Sequence, residues 1–339
     1  MSAVRILADD LTGALDAAAP FATSSHPVHL ALGGPLDAGK QTISSESREL
    51  ALEPARAAVR AAFNILRPGT GEKTLWFKKV DSVLRGWPVE ETLELMCCLD
   101  LPACVFAPAF PEMGRRTVDG RHEVADPERD GTWSPAAIHD MRDAFAAAGA
   151  EVAMLGEAGV ASGIMIGNAS EPGDLRGLVA QAPRRGVLWA GSRGLAEALC
   201  FPHPPLVAPT VGAVVLGTSH PVTRHQAEQL GRGDARHGVT VIDPVPVSSD
   251  SAETLKRVRQ EIGAMDPPGD KALIVVGGNT LTATLEAIEA QSLACQGEIA
   301  PGLPLSTIIG GRFDGVTLIT KSGGFGDGDL LARLCGRGI

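Results

Sequence analysis

Three groups of residues in this chain combine charge and glycine in ways that suit chemistry on a small anionic molecule. The last along the chain is Lys321-Ser322-Gly323-Gly324-Phe325-Gly326, directly after the apolar run Val316-Thr317-Leu318-Ile319-Thr320. A strand that delivers glycines and a lysine into a turn can point bare backbone N–H groups at an anion, with the ammonium as counter-charge; the plainer alternative is a glycine-rich turn and nothing more. Asp327 and Asp329 then suit the cap of a helix over Leu330-Leu331-Ala332-Arg333-Leu334, whose N-terminal dipole adds to the field. Near the other end, Ala8-Asp9-Asp10-Leu11-Thr12-Gly13 sets two acids where a first strand stops. The carboxyl end of such a strand commonly faces a ligand crevice, so Asp9 and Asp10 project toward a substrate or metal while Thr12 caps the next helix. The plainer alternative makes Asp10 part of that cap.

The third group is Lys78-Lys79-Val80-Asp81-Ser82-Val83-Leu84-Arg85-Gly86, after Leu75-Trp76-Phe77. Basic side chains and an acid around one strand end suit an anionic substrate: Lys79 and Arg85 for a carboxylate, the guanidinium in bidentate fashion, and Asp81 or Ser82 for a hydroxyl. The alternative is a solvated basic turn ahead of a helix that Pro88 starts and Glu90 and Glu91 favour through the dipole. Arg48 offers a further carboxylate ligand. The loop from Ala107 to Gly120, stiffened by Pro108 and Pro111, is long enough to close over a substrate; the plainer alternative is that Arg116 and Asp119 only pair with each other. His122 has no partner at metal-ligand spacing and reads as structural.

These clusters need a frame to hold them. At 339 residues and 35.1 kDa the chain exceeds the usual size of a single core, so two domains are expected. With 44% hydrophobic residues and a formal net charge of -10 it suits an α/β core and lacks a nucleic-acid footprint. The 6 cysteines show no CxxC pair, and the chain opens on an expected strand, so reduced thiols and a cytoplasmic setting are expected, with no membrane association. β-branched runs alternate with alanine-rich stretches, the pattern of mainly parallel sheets covered on both faces. Helices are expected over 12–22, 54–66, 88–99 and 136–148, then 221–231 and 250–264. Strands are expected at 4–7, 28–31, 75–77, 104–106, 164–166 and 187–189, then at 211–216, 239–242, 273–276 and 316–319. The proline-dense Cys200-Phe201-Pro202-His203-Pro204-Pro205 reads as a linker, giving domains 1–203 and 204–339.

The order of motifs resembles the four-carbon acid sugar kinase family. It runs ADDLTGALDAA (8–18), KKVDSVLRG (78–86), PAFPEMGRRTVDG (108–120), GSRGLAEAL (191–199), GTSHPVTRHQ (217–226), VVGGNT (275–280), GEIAPGLP (297–304) and KSGGFG (321–326). The resemblance implies an ATP-dependent kinase of tetronates, threonates, erythronates or 3-oxo-tetronates. It implies a first domain that binds the sugar acid, a second that binds ATP, and transfer in the cleft between them. The family's substrate-side motifs fall on Asp10, Arg48, Lys78, Lys79, Asp81, Ser82 and Arg85, beside Asp9. Its nucleotide-side motifs fall on Gly217, Thr218, Ser219 and His220, on Gly277, Gly278, Asn279 and Thr280, and on Lys321, Gly323, Gly324 and Gly326. On this reading Asp10 is the base or hydroxyl orienter, and Arg48, Lys79 and Arg85 hold the substrate carboxylate. Lys321 with the glycine amides stabilises phosphoryl oxygens. Mg²⁺ bridges the nucleotide phosphates with few protein ligands, and none is assigned. Gly297-Glu298-Ile299-Ala300-Pro301-Gly302 is either a second nucleotide-facing loop or a simple connection. A homodimer is a further expectation.

Several positions depart from the family pattern. The segment Ala125 to Gly131 replaces a longer loop after Val124, Gly86-Trp87-Pro88 replaces a smaller polar continuation, Asn279 stands where an acid is usual, and His220 where a small hydroxyl residue is usual. Two other classes stay open: a sugar-acid and ATP sensor without turnover, and a nicotinamide-dependent oxidoreductase, although no GxGxxG follows the first strand.

Overall fold

A strand that is apolar nearly throughout belongs in a parallel sheet buried on both faces, and β1 (Ala3–Ala8), apolar at every position but Arg5 and buried at all of them, is the first of these. The computed structural model describes residues 3–66, 74–126, 129, 131–157, 162–183, 186–232, 238–245 and 251–336. They form two compact units, Met1–Phe21 with Pro35–Pro202, and Ala22–Gly34 with His203–Ile339. The chain therefore passes from one unit to the other three times, and the short segment 22–34 belongs with the C-terminal part.

In the first unit β1 leads into α1 (Leu11–Ala18). The chain then leaves for the second unit, where it forms β2 (Val28–Ala31), and returns as β3 (Lys40–Ser44). Next come α2 (Leu52–Leu66), β4 (Thr74–Lys79), α3 (Pro88–Leu99), β5 (Ala103–Ala107), β6 (Arg115–Val118), β7 (Arg121–Ala125), β8 (Trp133–Asp140), α4 (Met141–Ala147), β9 (Val152–Met154), β10 (Gly163–Ile166), α5 (Asp174–Gln181), β11 (Val187–Gly191) and α6 (Arg193–Ala198). The main sheet of this unit runs β3-β1-β4-β11-β5-β10-β9 with every pairing parallel, while β6-β7-β8 form a separate antiparallel sheet. Ala8 is level with Ser44 and Lys79, Lys79 with Gly191, and Gly191 with Ala107. The loops that follow β1, β3, β4, β5 and β11 thus leave one edge of the sheet together, where open α/β sheets take ligands.

The second unit continues with β12 (Val211–Leu216), α7 (Pro221–Arg232), β13 (Thr240–Ile242), α8 (Ser251–Ala264), β14 (Ala272–Val276), α9 (Gly278–Ala287), β15 (Ser292–Ala300), β16 (Leu303–Ile309), β17 (Thr317–Lys321) and α10 (Leu330–Cys335). Its strand order is β13-β12-β14-β17-β16-β15-β2: parallel from β13 to β17, antiparallel from there to β2. This half is mixed rather than mainly parallel. Leu216 is level with Val276 and Val276 with Lys321, so three turns leave adjacent strand ends side by side. Val214, Leu216, Ile274, Val276, Ile319 and Leu331 fill the core beneath them.

The helix expected over 136–148 starts only at Met141, because 133–140 pairs with β7 as β8 and Asp140 then caps the helix by accepting from Asp143 N at 3.1 Å. The helix expected over 12–22 closes at Ala18 into a short 3₁₀ turn that contains Pro20. Residue 250, the expected start of another helix, lies outside the described residues, as do 127, 128 and 130 of the shortened loop. The segment Gly297 to Gly302 is mostly strand, since β15 and β16 form an antiparallel hairpin with irregularities at Cys295/Gly297 and Glu298/Ala300. Among the described residues no helix is long and apolar enough to cross a membrane.

Candidate functional site

In the first unit the sheet edge gathers three aspartates around two arginines. Asp9 and Asp10 continue β1, and Asp10 caps α1 by accepting from Gly13 N at 2.8 Å and from Thr12 Oγ1 at 2.9 Å. The cap is thus Asp10 rather than the expected Thr12, as the plainer alternative has it, and it leaves the carboxylate at the strand end. Arg48 follows β3 and is anchored as its backbone N–H and that of Ser47 donate to the Asp9 carbonyl. Its guanidinium grips Asp9 through Nε and Nη2, both at 2.8 Å, and Asp10 through Nη1 at 2.9 Å, with Asp81 Oδ1 3.8 Å away. Asp81 in turn accepts from Arg85 Nε at 3.0 Å and Nη2 at 2.8 Å. Burial pushes the Asp9 and Asp81 carboxyls up, but the adjacent cations and their hydrogen bonds outweigh it and hold both below the usual carboxylate range. Burial works against the Arg48 charge too, and the carboxylates beside it more than compensate.

The two lysines that end β4 point to opposite faces of a sheet covered on both sides, and their surroundings differ. Lys78 Nζ lies 2.8 Å from Glu91 Oε2 of α3, with both side chains enclosed (0% and 1% exposed). Lys78, expected among the ligands, is therefore placed beneath the sheet edge with an internal partner. Lys79 Nζ donates to the Val80 carbonyl at 2.9 Å and lies toward α1, where a Cβ on Gly13 would stand 3.5 Å from it and 2.3 Å from Asp10 Oδ1. Glycine at 13 is what lets the Asp10 carboxylate come so close to the first turn of α1. Ser82 is half-buried, and its carbonyl meets the buried His122 Nε2 at 2.9 Å, whose Nδ1 meets Thr117 Oγ1 at 3.0 Å. His122 thus fixes the 81–85 turn, as its reading as structural anticipates. Arg116 and Asp119 do not pair; Arg116 bonds Glu123, and Asp119 takes a left-handed conformation (φ 50°) in the β6–β7 turn.

In the second unit the turns after β12, β14 and β17 close on one another. A Cβ on Gly217 would lie 2.6 Å from Thr280 Oγ1, and one on Gly323 would lie 3.3 Å from both His220 Cβ and Thr218 Oγ1. Gly277, at φ 97°, caps α9 and donates its N–H to the Lys321 carbonyl at 2.8 Å. Gly278 and Asn279 open α9 with Asn279 exposed and Thr280 buried, and Ser219 and His220 are exposed. A Cβ on Gly302 would lie 2.6 Å from the Phe325 ring, which brings the hairpin turn against this group.

Lys321 organises the last turn from below. Its side chain is buried (1% exposed), and Nζ donates to the carbonyls of Ser322 at 2.9 Å and Phe325 at 2.8 Å. Thr223 Oγ1 donates to the Gly323 carbonyl at 2.6 Å, and Gln226 Nε2 to those of Phe325 at 3.0 Å and Asp327 at 2.7 Å. In a planar trans peptide the N–H points opposite to the preceding C=O. With these carbonyls drawn inward, the N–H groups of Gly323, Gly324 and Gly326 point away from the groups that hold them, and none has a partner among the described residues. This is the geometry of an anion hole with a cation beneath it. Burial pushes the Lys321 ammonium down to about 7. Thr223 and Gln226 were not anticipated individually, although both lie in the motif at 217–226; Glu91 was anticipated only as a helix-dipole residue.

A phosphorylated ligand fits this cradle by donor chemistry: outward amides, a helix N-terminus at Gly278 and a basic group below. Among the described residues no group of three or more His, Cys, Asp or Glu side chains gathers as a metal cage.

Residues 4–143 match the family model for a sugar-binding N-terminal domain, and 263–331 that for a nucleotide-binding C-terminal domain. The chain is 27% identical to a protein named D-threonate kinase from Bordetella bronchiseptica, covering 97% of this chain and 96% of that one. It is 29% identical to one of the same name from Cupriavidus necator, covering 95% and 94%. Its fold is like that of a protein from Salmonella typhimurium LT2 (TM-score 0.70, 18% identity, 98% of each chain) and one from Haemophilus influenzae (TM-score 0.69, 17% identity, 98% and 99%). With the two family models in this order and similarity along nearly the whole length, the chain belongs to the four-carbon acid sugar kinase family.

Proposed function

We propose that this protein is an ATP-dependent kinase that phosphorylates the terminal hydroxyl of a four-carbon sugar acid, a tetronate, threonate, erythronate or 3-oxo-tetronate. The observation that carries the reading is the pairing, in one chain, of a hydroxyl-accepting aspartate cluster with an outward-facing amide turn over a buried lysine. Membership of the family and the name D-threonate kinase borne by relatives support the same reaction. We place transfer in the cleft between the two domains, since the hydroxyl and the γ-phosphate must meet in line.

In this reading the N–H groups of Gly323, Gly324 and Gly326 bind phosphoryl oxygens, and the turns at 217–220 and 277–280 take the rest of the nucleotide. Mg²⁺ would arrive with the nucleotide phosphates, held by few or no protein side chains, and would supply charge neutralisation for the transferring group. Asp10 orients the attacking hydroxyl and takes its proton. A carboxylate offers about four lone-pair sites; Gly13, Thr12 and Arg48 use three of them, which leaves one on Oδ1. Arg48 and Arg85 keep Asp9 and Asp81 ionised, and the two guanidinium groups hold all three aspartates in place as acceptors for the substrate hydroxyls. Lys79, across Gly13 from Asp10, answers the negative charge that the phosphoryl group brings.

A coupled ADP-release assay over the stereoisomers of threonate and erythronate and their 3-oxo forms tests this reading. ADP release with at least one of them is expected. ATP binding with no release across the whole panel would instead support a sensor without turnover.

A further inference from the structure

Arg48, Arg85 and Arg115 stand in or beside the aspartate cluster of the first unit and Arg116 is next along the chain; all but Arg115 have an anionic partner. Arg48 holds Asp9 and Asp10, Arg85 holds Asp81, and Arg116 bonds Glu123 while its guanidinium carbon lies 3.9 Å from the centre of the Trp133 ring. Arg115 has no anionic partner among the described residues. Its Nη1 donates to the Met113 carbonyl, and its Nε is buried without a hydrogen-bond partner.

The backbone fixes this residue firmly. Phe110 N donates to the Arg115 carbonyl at 2.8 Å, Arg115 N donates back to the Phe110 carbonyl at 3.1 Å, and Arg115 opposes Val124 in the β6–β7 register. The small sheet is fastened to the 81–85 turn by His122 Nε2 against the Ser82 carbonyl at 2.9 Å and by Ala137 N against that of Val83 at 3.0 Å. Burial works against the Arg115 charge, Asp81 favours it and Arg85 opposes it. Asp81 is already held by the Arg85 fork, so little of its charge is left for Arg115.

The charges of the cluster do not balance. Lys78 and Glu91 cancel inside the unit. Arg48, Lys79, Arg85 and Arg115 then face Asp9, Asp10 and Asp81, which leaves one positive charge, the complement of a monocarboxylate. Lys79 already acts on Asp9, whereas the planar donor fork of Arg115 has no acid of its own. We propose that Arg115 receives the carboxylate of the sugar acid, while the aspartates take its hydroxyls. This rests on the kinase reading above and names a substrate-binding residue outside the 78–86 motif.

The experiment compares Arg115→Met and Arg115→Lys with wild type in steady-state kinetics. Substrates are the best sugar acid and its neutral amide, with circular dichroism as a check on folding. Arg116→Gln, whose parent side chain pairs outside the cluster, is the control. For Arg115→Met the KM for the acid is expected to rise at least ~30-fold, from loss of a charge-assisted pair, with kcat within about threefold and the KM for ATP unchanged. Arg115→Lys should recover part of the loss, and Arg116→Gln should keep the wild-type KM. Wild type should discriminate against the amide by a similar factor, and Arg115→Met should abolish that discrimination. Wild-type turnover with an unchanged KM in a folded Arg115→Met overturns the inference alone. If Arg115→Met does not fold, an Arg115→Lys enzyme with wild-type acid/amide discrimination overturns it, as does a wild type that uses acid and amide equally well. Absence of both turnover and calorimetric sugar-acid binding in wild type overturns the kinase reading and this inference together.

Discussion

Arg48 and Asp9 form a two-pronged pair, Nε to Oδ2 and Nη2 to Oδ1, both at 2.8 Å, and the third nitrogen of the same guanidinium reaches Asp10. One residue from the loop after β3 therefore sets the direction of both acids at the end of β1. A lysine supplies a point charge without a fork, so Arg48→Lys is not conservative here. Arg48→Lys and Arg48→Met should each lower kcat/KM for the sugar acid by at least ~100-fold, while calorimetric ATP affinity changes less than about twofold. Stability should respond with a definite sign. Asp9 and Asp81 are held below their ordinary value, so their contribution is complete above an unfolded pKa of ~3.9 and is lost as pH falls through their folded values. Arg48→Met should move the acid-unfolding midpoint to higher pH; an unmoved midpoint and full activity would remove Arg48 from this role.

Much of the site was legible because its parts obey local rules. The turns at 217, 277 and 321 follow apolar runs, and the strands that carry them are adjacent and in register, so glycine after a buried strand picked out three turns that lie side by side. Asp9 and Asp10 were visible for the same reason. What sequence could not disclose is which way a polar side chain faces when both faces of its strand are buried. Lys78 and Lys79 are chemically identical neighbours, yet Lys78 finds Glu91 and Lys79 lies toward Gly13. The β15–β16 hairpin was also hidden, since the Gln296-Gly297-Glu298 run and the Pro301-Gly302 corner have the composition of a loop while their backbone pairs across a ladder. The placement of 22–34 depends on β2 pairing with β15, a contact across most of the chain's length.

Lys78 and Glu91 make the second prediction. Removing one member of an enclosed ion pair leaves a buried charge unanswered, which costs about 3–5 kcal/mol, whereas replacing both with apolar groups is often near neutral. Lys78→Met should therefore lower the unfolding free energy by that order, and Lys78→Met/Glu91→Leu should regain most of it. If Lys78 acts only by supporting the strand end, the double variant keeps kcat and the KM for the sugar acid within about threefold. A double variant that folds as stably as wild type but has lost sugar-acid binding would mean that Lys78 touches substrate after all.

Lys321 gives a prediction in pH. Its ammonium is buried on carbonyls without a carboxylate partner among the described residues, and burial brings its pKa down to about 7, so the free protein loses the charge under the turn as pH rises through neutrality. An unfolded lysine titrates near ~10.4; the lowered value costs native stability below about pH 7, and that cost is recovered as pH rises toward the unfolded value. Nucleotide phosphates at the outward amides favour the charged form, so binding should draw a proton back onto Lys321. Between pH 7.5 and 9, where a terminal phosphate with a second pKa of ~6 no longer titrates, ATP affinity should weaken by up to tenfold per pH unit. Calorimetry in two buffers of different ionisation enthalpy should show net proton uptake at pH 7.5. Lys321→Arg, permanently charged, should flatten the pH dependence and abolish the uptake. Lys321→Met should lose ATP affinity at every pH, because the Ser322 and Phe325 carbonyls are then free to turn and the amides no longer face the phosphate. Wild-type affinity that stays level from pH 7.5 to 9 with no proton uptake would show that the ammonium keeps one charge state throughout, and the buried lysine would then be a structural strut alone.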